Sequence, residues 1–274
     1  MIERACECFA GSPRAALPGK ASMGRRLPGL VAILVVLAAR PAAAQTNGQL
    51  WGNITLDWVR SEKLTYELDL EPKVLVVAPS TEPGWRNLDV TPNVEYAARP
   101  WLDLIGELGT GFTHQTDDVN SIEVTPRAGI RLHLLSRDQP RVIHVRELPP
   151  RRRVVIRDRL LVESRNTFYT GAGSGRDSTV RFRNRLEFLV SLNKATLAED
   201  GARYFMADWE WFVPLDDPTE RFANRQRIRT GLGHRRNVRW RFELLYIWSR
   251  SRDTTDEGFK TADNIINLRL KRVF

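Results

Sequence analysis

The sequence predicts an all-β protein, an antiparallel up-and-down transmembrane β-barrel of about twelve strands, with ten as the alternative. Three observations predict it. Apolar and polar residues alternate through nearly every segment after Gln45. The polar face carries too many arginines and carboxylates to form a dry interior. The segments are mostly about ten residues or longer, enough to cross a bilayer at a tilt.

The front of the chain is different. Arg25 and Arg26 precede a short apolar run from Leu27 to Ala39, and Ala42-Ala43-Ala44 stands before Gln45. A positive start, a short apolar stretch and a small-residue cleavage site describe a secretory signal peptide over residues 23–44. The run is too short, and too interrupted by Pro28 and Gly29, for a transmembrane helix. Residues 1–22, ahead of Met23, read as a disordered upstream mis-start. Both cysteines, Cys6 and Cys8, lie there, so no disulfide braces residues 45–274. The formal charge of +9 falls to +5 once residues 1–44 are set aside, too mild to point to a nucleic-acid partner. Residues 45–274 then suit one large β domain, the barrel itself.

Within that domain the apolar parity can be followed segment by segment. Leu50, Ile54, Leu56 and Trp58 oppose Asn53, Thr55 and Asp57; Leu64, Tyr66, Leu68 and Leu70 oppose Thr65, Glu67, Asp69 and Glu71. Leu88, Val90, Val94 and Tyr96 come next, then Leu102, Leu104, Leu108 and Phe112, then Ile122, Val124, Ala128, Ile130 and Leu132. The second half keeps the period and adds charge. Val154, Ile156, Leu160 and Val162 oppose Arg157, Arg159, Glu163 and Arg165, and Val180, Phe182, Leu186 and Phe188 oppose Arg181, Arg183, Arg185 and Glu187. Phe205, Trp209 and Trp211 oppose Asp208 and Glu210; Ile228 and Leu232 oppose Arg225, Arg227 and Arg229; Trp240, Phe242 and Leu244 oppose Arg239, Arg241 and Glu243. Period two places each set on one face of a strand. Eleven segments are visible, beginning near residues 49, 63, 85, 101, 121, 154, 178, 202, 222, 238 and 259. An even count is expected of a bacterial barrel, and residues 142–145 offer one more strand.

Short turns near residues 98–100 and 235–237 alternate with longer polar loops, as in outer-membrane barrels. Trp58, Tyr96, Trp101, Trp211, Trp240 and Trp248 fall near segment ends, as aromatic girdles do. The alternative is a soluble periplasmic β-sandwich binding protein. Burying Arg181, Arg183 and Arg185 in a sandwich core would be prohibitive, whereas a closed barrel surrounds them with a wet lumen and leaves no sheet edge. The final segment alternates through Ile266, Leu268 and Leu270 and ends on Phe274. It looks like the signal that barrel-assembly machinery reads, departing from it at Arg272, which would snorkel toward headgroups.

Asp208-Trp209-Glu210-Trp211-Phe212, the phrase from Phe222 to Gly233, Arg183-Asn184-Arg185-Leu186-Glu187 and the early Trp51-Gly52-Asn53 together resemble a bacterial outer-membrane barrel family. It is known as domain of unknown function 2490. The resemblance implies the barrel and its outer-membrane location, and brings no catalytic or binding residues with it.

The chemistry expected of the chain lies in the lumen. Arg157, Arg159, Arg165, Arg181, Arg183, Arg185, Arg225, Arg227, Arg229, Arg239 and Arg241 would point inward, with Glu163, Glu187, Asp208, Glu210 and Glu243 among them. Cross-strand charges of this kind pair readily, and arginine binds carboxylates bidentately. Two readings follow: a salt-bridged plug that fills a narrow barrel, favoured at this strand number, or an anion-attracting channel for passive transport. An outer-membrane lipid hydrolase or acyltransferase is the alternative of another class. It has His114, His133, His234, Ser121 and Ser136 to draw on, and no nucleophile motif around any of them. The loop acids at 117–118, 216–217 and 253–257 lack calcium-loop spacing, so no metal site, cofactor or catalytic residue is expected. The expected partners are outer-membrane lipids, lipopolysaccharide and the assembly machinery, for a monomer in the cell outer membrane.

Overall fold

A computed structural model describes residues 46–78, 83–135, 153–171, 175–216, 225–251 and 261–274. The mis-start, the signal peptide, Ser136 and residues 142–145 lie outside them. Eleven strands form one closed ring: β1 (Thr46–Val59), β2 (Leu64–Val77), β3 (Trp85–Arg99), β4 (Leu102–Gln115), β5 (Val119–His133), β6 (Val154–Gly171), β7 (Gly175–Ser191), β8 (Ala202–Pro214), β9 (Arg225–Arg235), β10 (Trp240–Ser251) and β11 (Thr261–Val273). Each coincides with one alternating segment of the sequence. The shortest strand has 11 residues and the longest 18, well above the usual five or six or so.

Eleven strands rather than twelve change how the ring closes. Alternating directions around an odd number leave the first and last strands pointing the same way. The pair β1–β11 is therefore parallel, running from Thr46 opposite Ala262 to Asp57 opposite Val273, while every other pair is antiparallel. This corrects the all-antiparallel expectation at one seam, while eleven described strands fall between the ten and twelve expected. An even count follows only when the closing pair is antiparallel, and a parallel ladder also leaves no free edge. Side chains clamp the seam: Lys271 Nζ lies 2.8 Å from Asp57 on β1 and 2.9 Å from Glu67 on β2. The Phe274 amide donates to the Asp57 carbonyl at 2.8 Å. One rim of the barrel thus holds the end of β11 (the C-terminal rim), and the opposite rim holds the start of β1 (the N-terminal rim).

The parity of each strand sorts its residues as the alternation foretells. Leu50, Tyr66, Leu88, Phe112, Ile122, Val162, Phe188, Trp209, Ile228, Phe242 and Leu268 are exposed, one or more on every strand of the ring. The residues between them point inward, and the interior has two layers. Near the C-terminal rim, Val155, Leu189, Leu197, Tyr204, Met206 and Leu245 form a buried apolar cluster. Leu197, only 3% exposed, comes from the β7–β8 connection, which tucks into the barrel end. That connection is tied down by Ser191 Oγ donating to the Lys194 carbonyl (2.9 Å) and by the Gly201 amide donating to the Arg235 carbonyl (2.8 Å).

Tyr204 shows why the paired glycines of β9 are there. It pairs with Gly233 across the β8–β9 ladder, and a Cβ at position 233 would stand 2.1 Å from the tyrosine ring. Glycine leaves the ring room to lie flat over the neighbouring strand, and the hydroxyl then donates to Glu243.

Candidate lumen binding site

Above the apolar layer, from mid-barrel to the N-terminal rim, the interior encloses a cavity of about 660 Å3. Its deep end is ringed by Glu67, Lys271, Arg131 and Arg157, and its outermost wall residues are Gln49, Trp85 and Gln115. The charges around it are sorted by strand. Strands β1–β4 turn inward the carboxylates of Asp57, Glu67, Asp69, Glu71, Asp89, Glu95, Asp103 and Glu107, against the single described cation Lys73. Strands β6–β9 line the cavity with nine arginines, at 157, 159, 165, 181, 183, 185, 225, 227 and 229. Only Glu163, Glu187, Asp208 and Glu210 lie among them on those strands.

Opposite charges meet where the two walls join. At the β4–β5–β6 junction, Glu107 receives Arg159 and, at 3.5 Å, Arg127, while Arg131 reaches Glu95 on β3. At the other junction Lys271 holds Asp57 and Glu67. On β1–β4, Lys73 bridges Glu71 at 3.0 Å and Asp89. Asp69 accepts a hydrogen bond from Thr55 and has no cation within ion-pair reach among the described residues.

On the basic wall two deep carboxylates are each shared among three arginines. Glu163 holds Arg127 (3.1 Å), Arg181 and Arg183 (3.9 Å), and Glu210 holds Arg183 (2.8 Å), Arg227 (3.6 Å) and Arg229 (3.7 Å). Asp208 takes the Arg229 Nε at 2.7 Å, Glu187 takes Arg157 Nη2 at 3.0 Å, and Glu123 takes Arg165 at 2.6 Å. Glu243 lies 3.0 Å from Arg269. Arg185 and Arg225 meet no carboxylate within ion-pair reach among the described residues. Two rings stand between the guanidiniums. Phe212 has Arg181 at 4.7 Å, Arg227 at 5.0 Å and Arg183 at 5.2 Å; Trp51 has Lys73 at 4.5 Å and Arg227 at 5.4 Å. Guanidinium faces stack on such rings while their edge N–H groups stay free to donate.

The structure brings together every expected network residue but one. Arg239 lies in the β9–β10 turn and is exposed, because the strand, and with it the parity, starts only at Trp240. The expectation overlooked the acidic wall, although Glu67, Asp69 and Glu71 alternate as plainly as the arginines. It also overlooked Arg127, Arg131, Arg269 and Lys271.

The residues considered for an enzyme are dispersed. His133 points inward at the C-terminal rim with Nε2 2.8 Å from Asp103. Ser121 is at the other end of the same strand. His114 is exposed and pairs through Nδ1 with Asn120 at 2.7 Å, and His234 is exposed on the outer face. Of the loop acids within the described residues, Asp117 accepts the Val119 amide of its own turn at 3.2 Å, and Asp216 accepts the Val180 amide of β7 at 2.8 Å; residues 217 and 253–257 lie outside the described residues. Among the described residues, the only dense functional chemistry is the charged cavity.

The outer seam carries its own cluster. Trp58 and Phe274 stack with centroids 5.5 Å apart and planes 7° apart, and Arg272 lies 4.5 Å from Phe274 and 4.9 Å from Trp240. Ile266 and Leu268 of the same strand are exposed on the outer face. In comparison with known proteins, the model of a family described as protein of unknown function (DUF2490) matches residues 48–260, and the chain belongs to that family. Among curated proteins nothing matches.

Proposed function

We propose that this DUF2490 member is an outer-membrane β-barrel protein whose lumen is a blind charged chamber suited to binding, with no open conduit through it. The observation that carries the reading is the inverted distribution of polarity: an apolar ring faces outward around all eleven strands, and the ions are inside. Soluble monomers keep exposed apolar patches to a few hundred Å2 or so, and a continuous greasy belt is what a barrel offers lipid tails. Trp58, Tyr96, Trp101, Trp240 and Phe274 near one rim, with Phe112, Phe168 and Trp248 toward the other, match aromatic girdles at two interfaces. In this reading lipids and lipopolysaccharide surround the barrel, and assembly machinery reads Ile266, Leu268, Leu270 and Phe274. The buried layer around Leu197 favours the chamber over the channel.

Two measurements test the proposal. Fractionated cells carry the protein in the outer membrane, and unheated samples migrate faster on a gel than boiled ones because the closed barrel resists detergent. Recovery in the soluble periplasm with heat-insensitive migration overturns the membrane reading. In planar bilayers the folded protein gives no steady conductance; a sustained open level replaces the chamber with a pore.

A further inference from the structure

We infer that the β6–β9 wall of the lumen is a binding site for a small phosphate-type oxyanion. The inference deepens the chamber reading above and rests on it. Nine arginines line this wall with four carboxylates among them; Glu163 and Glu210 are each already shared among three arginines, and Glu187 and Asp208 hold Arg157 and Arg229. Arg185 and Arg225 are left without an anionic partner, and Nε of Arg185 and Nε of Arg227 are buried with no protein acceptor. Buried donors are almost always satisfied, and a surplus of converging guanidiniums is stabilised by whatever brings oxygens to them.

The chemistry of the guest follows from the wall. Guanidinium forks match tetrahedral oxyanions and carboxylates two oxygens at a time, so a group with three or four acceptor oxygens is favoured over chloride. Phe212 holds Arg181, Arg183 and Arg227 apart and in place, so little ordering is left for the ligand to drive. The opposite wall limits the guest. Asp69, Glu71 and Asp89 face the same cavity and repel a polyanion long enough to span it, and about 660 Å3 admits a small molecule or a single headgroup. A phosphate from solution and a phosphate on a lipid headgroup share this chemistry.

The test uses the full-length folded protein in neutral detergent, with titration calorimetry against inorganic phosphate and pyrophosphate. A second arm adds phosphatidylglycerol to the micelles and asks whether it displaces the soluble anion. Wild type binds in at least one arm. The Arg185→Gln/Arg225→Gln double variant binds about tenfold or more weakly, since each lost arginine removes a charge-assisted hydrogen bond. Arg239→Gln, an exposed arginine in the β9–β10 turn outside the lumen, does not weaken binding. Displacement by phosphatidylglycerol assigns the site to a headgroup, and its absence to a free anion. No binding in either arm, or a double variant that binds like wild type, sinks the inference. The gel shift of the same samples reports whether the barrel is intact, which separates failure of the site from failure of the chamber. A double variant that loses the shift is replaced by Arg225→Gln alone, at the outer end of the cavity.

Discussion

The acidic and basic walls of the lumen handle crowded charge in different ways. Carboxylates of β1–β3 are met by two lysines, Lys73 of β2 and Lys271 of β11, each a point charge bridging two of them. On β6–β9 the cations are arginines, and two deep carboxylates, Glu163 and Glu210, are each threaded among three guanidiniums, counting Arg127 of β5. A planar fork with five donors can share an acceptor with its neighbours and stack on a ring as well, which an ammonium does less well. The heart of the basic wall, from Glu163 through Arg183 and Glu210 to Arg229 and Asp208, is therefore one connected network, and the acidic wall is a set of separate bridges. A connected network concentrates its dependence on the few groups every member shares.

The largest expected effect breaks that dependence. Glu210 is 0% exposed and serves Arg183, Arg227 and Arg229 together. Glu210→Gln leaves three guanidiniums facing one another, and loss of one partner from a buried ionic set costs about 3–5 kcal/mol. Asp69→Asn removes a carboxylate that meets Thr55 and no described cation, and its cost stays within about 1 kcal/mol. Urea midpoints of the two variants, read by the gel shift, compare the walls directly. Equal losses would show that the network is no more concentrated than the pairs.

A middle-sized effect concerns the floor of the chamber. Gly233→Ala drives a methyl into the Tyr204 ring, and overpacking of this kind costs about 1–3 kcal/mol. In a Tyr204→Ala background the same substitution loses most of its penalty. A penalty unchanged in that background would show that the glycine serves the backbone and not the ring.

These particulars show what the sequence could carry. Alternation placed all eleven strands and the face of nearly every charged residue, because parity is local and strands are long. Arg239 was misplaced because parity continues on paper through a turn where no strand exists. The acidic wall was legible in Glu67, Asp69 and Glu71, but its position opposite the arginines depends on ring closure, a long-range fact. Residues 192–201 have no period, so nothing local foretold that Leu197 enters the barrel end. The parallel seam follows from an odd count, which only the closed ring decides.

The smallest expected effect lies outside the lumen, at a charge on the apolar face. Arg272 occupies an outward position at which an apolar residue was expected, and its guanidinium rests against Trp240 and Phe274. Exposed cation–π contacts contribute about 0.5–1 kcal/mol each, and a leucine there recovers a similar amount by covering the same rings. Arg272→Leu therefore shifts the urea midpoint little. Phe274→Ala removes the stack on Trp58 and the platform for Arg272 together, at the seam where the ring closes in parallel. It costs about 1–3 kcal/mol and lowers the fraction that runs as the folded band on an unheated gel. If Arg272→Leu proved as damaging as Phe274→Ala, the arginine would have to act through the seam itself, and its proposed place as a charge tolerated at a membrane interface would be lost.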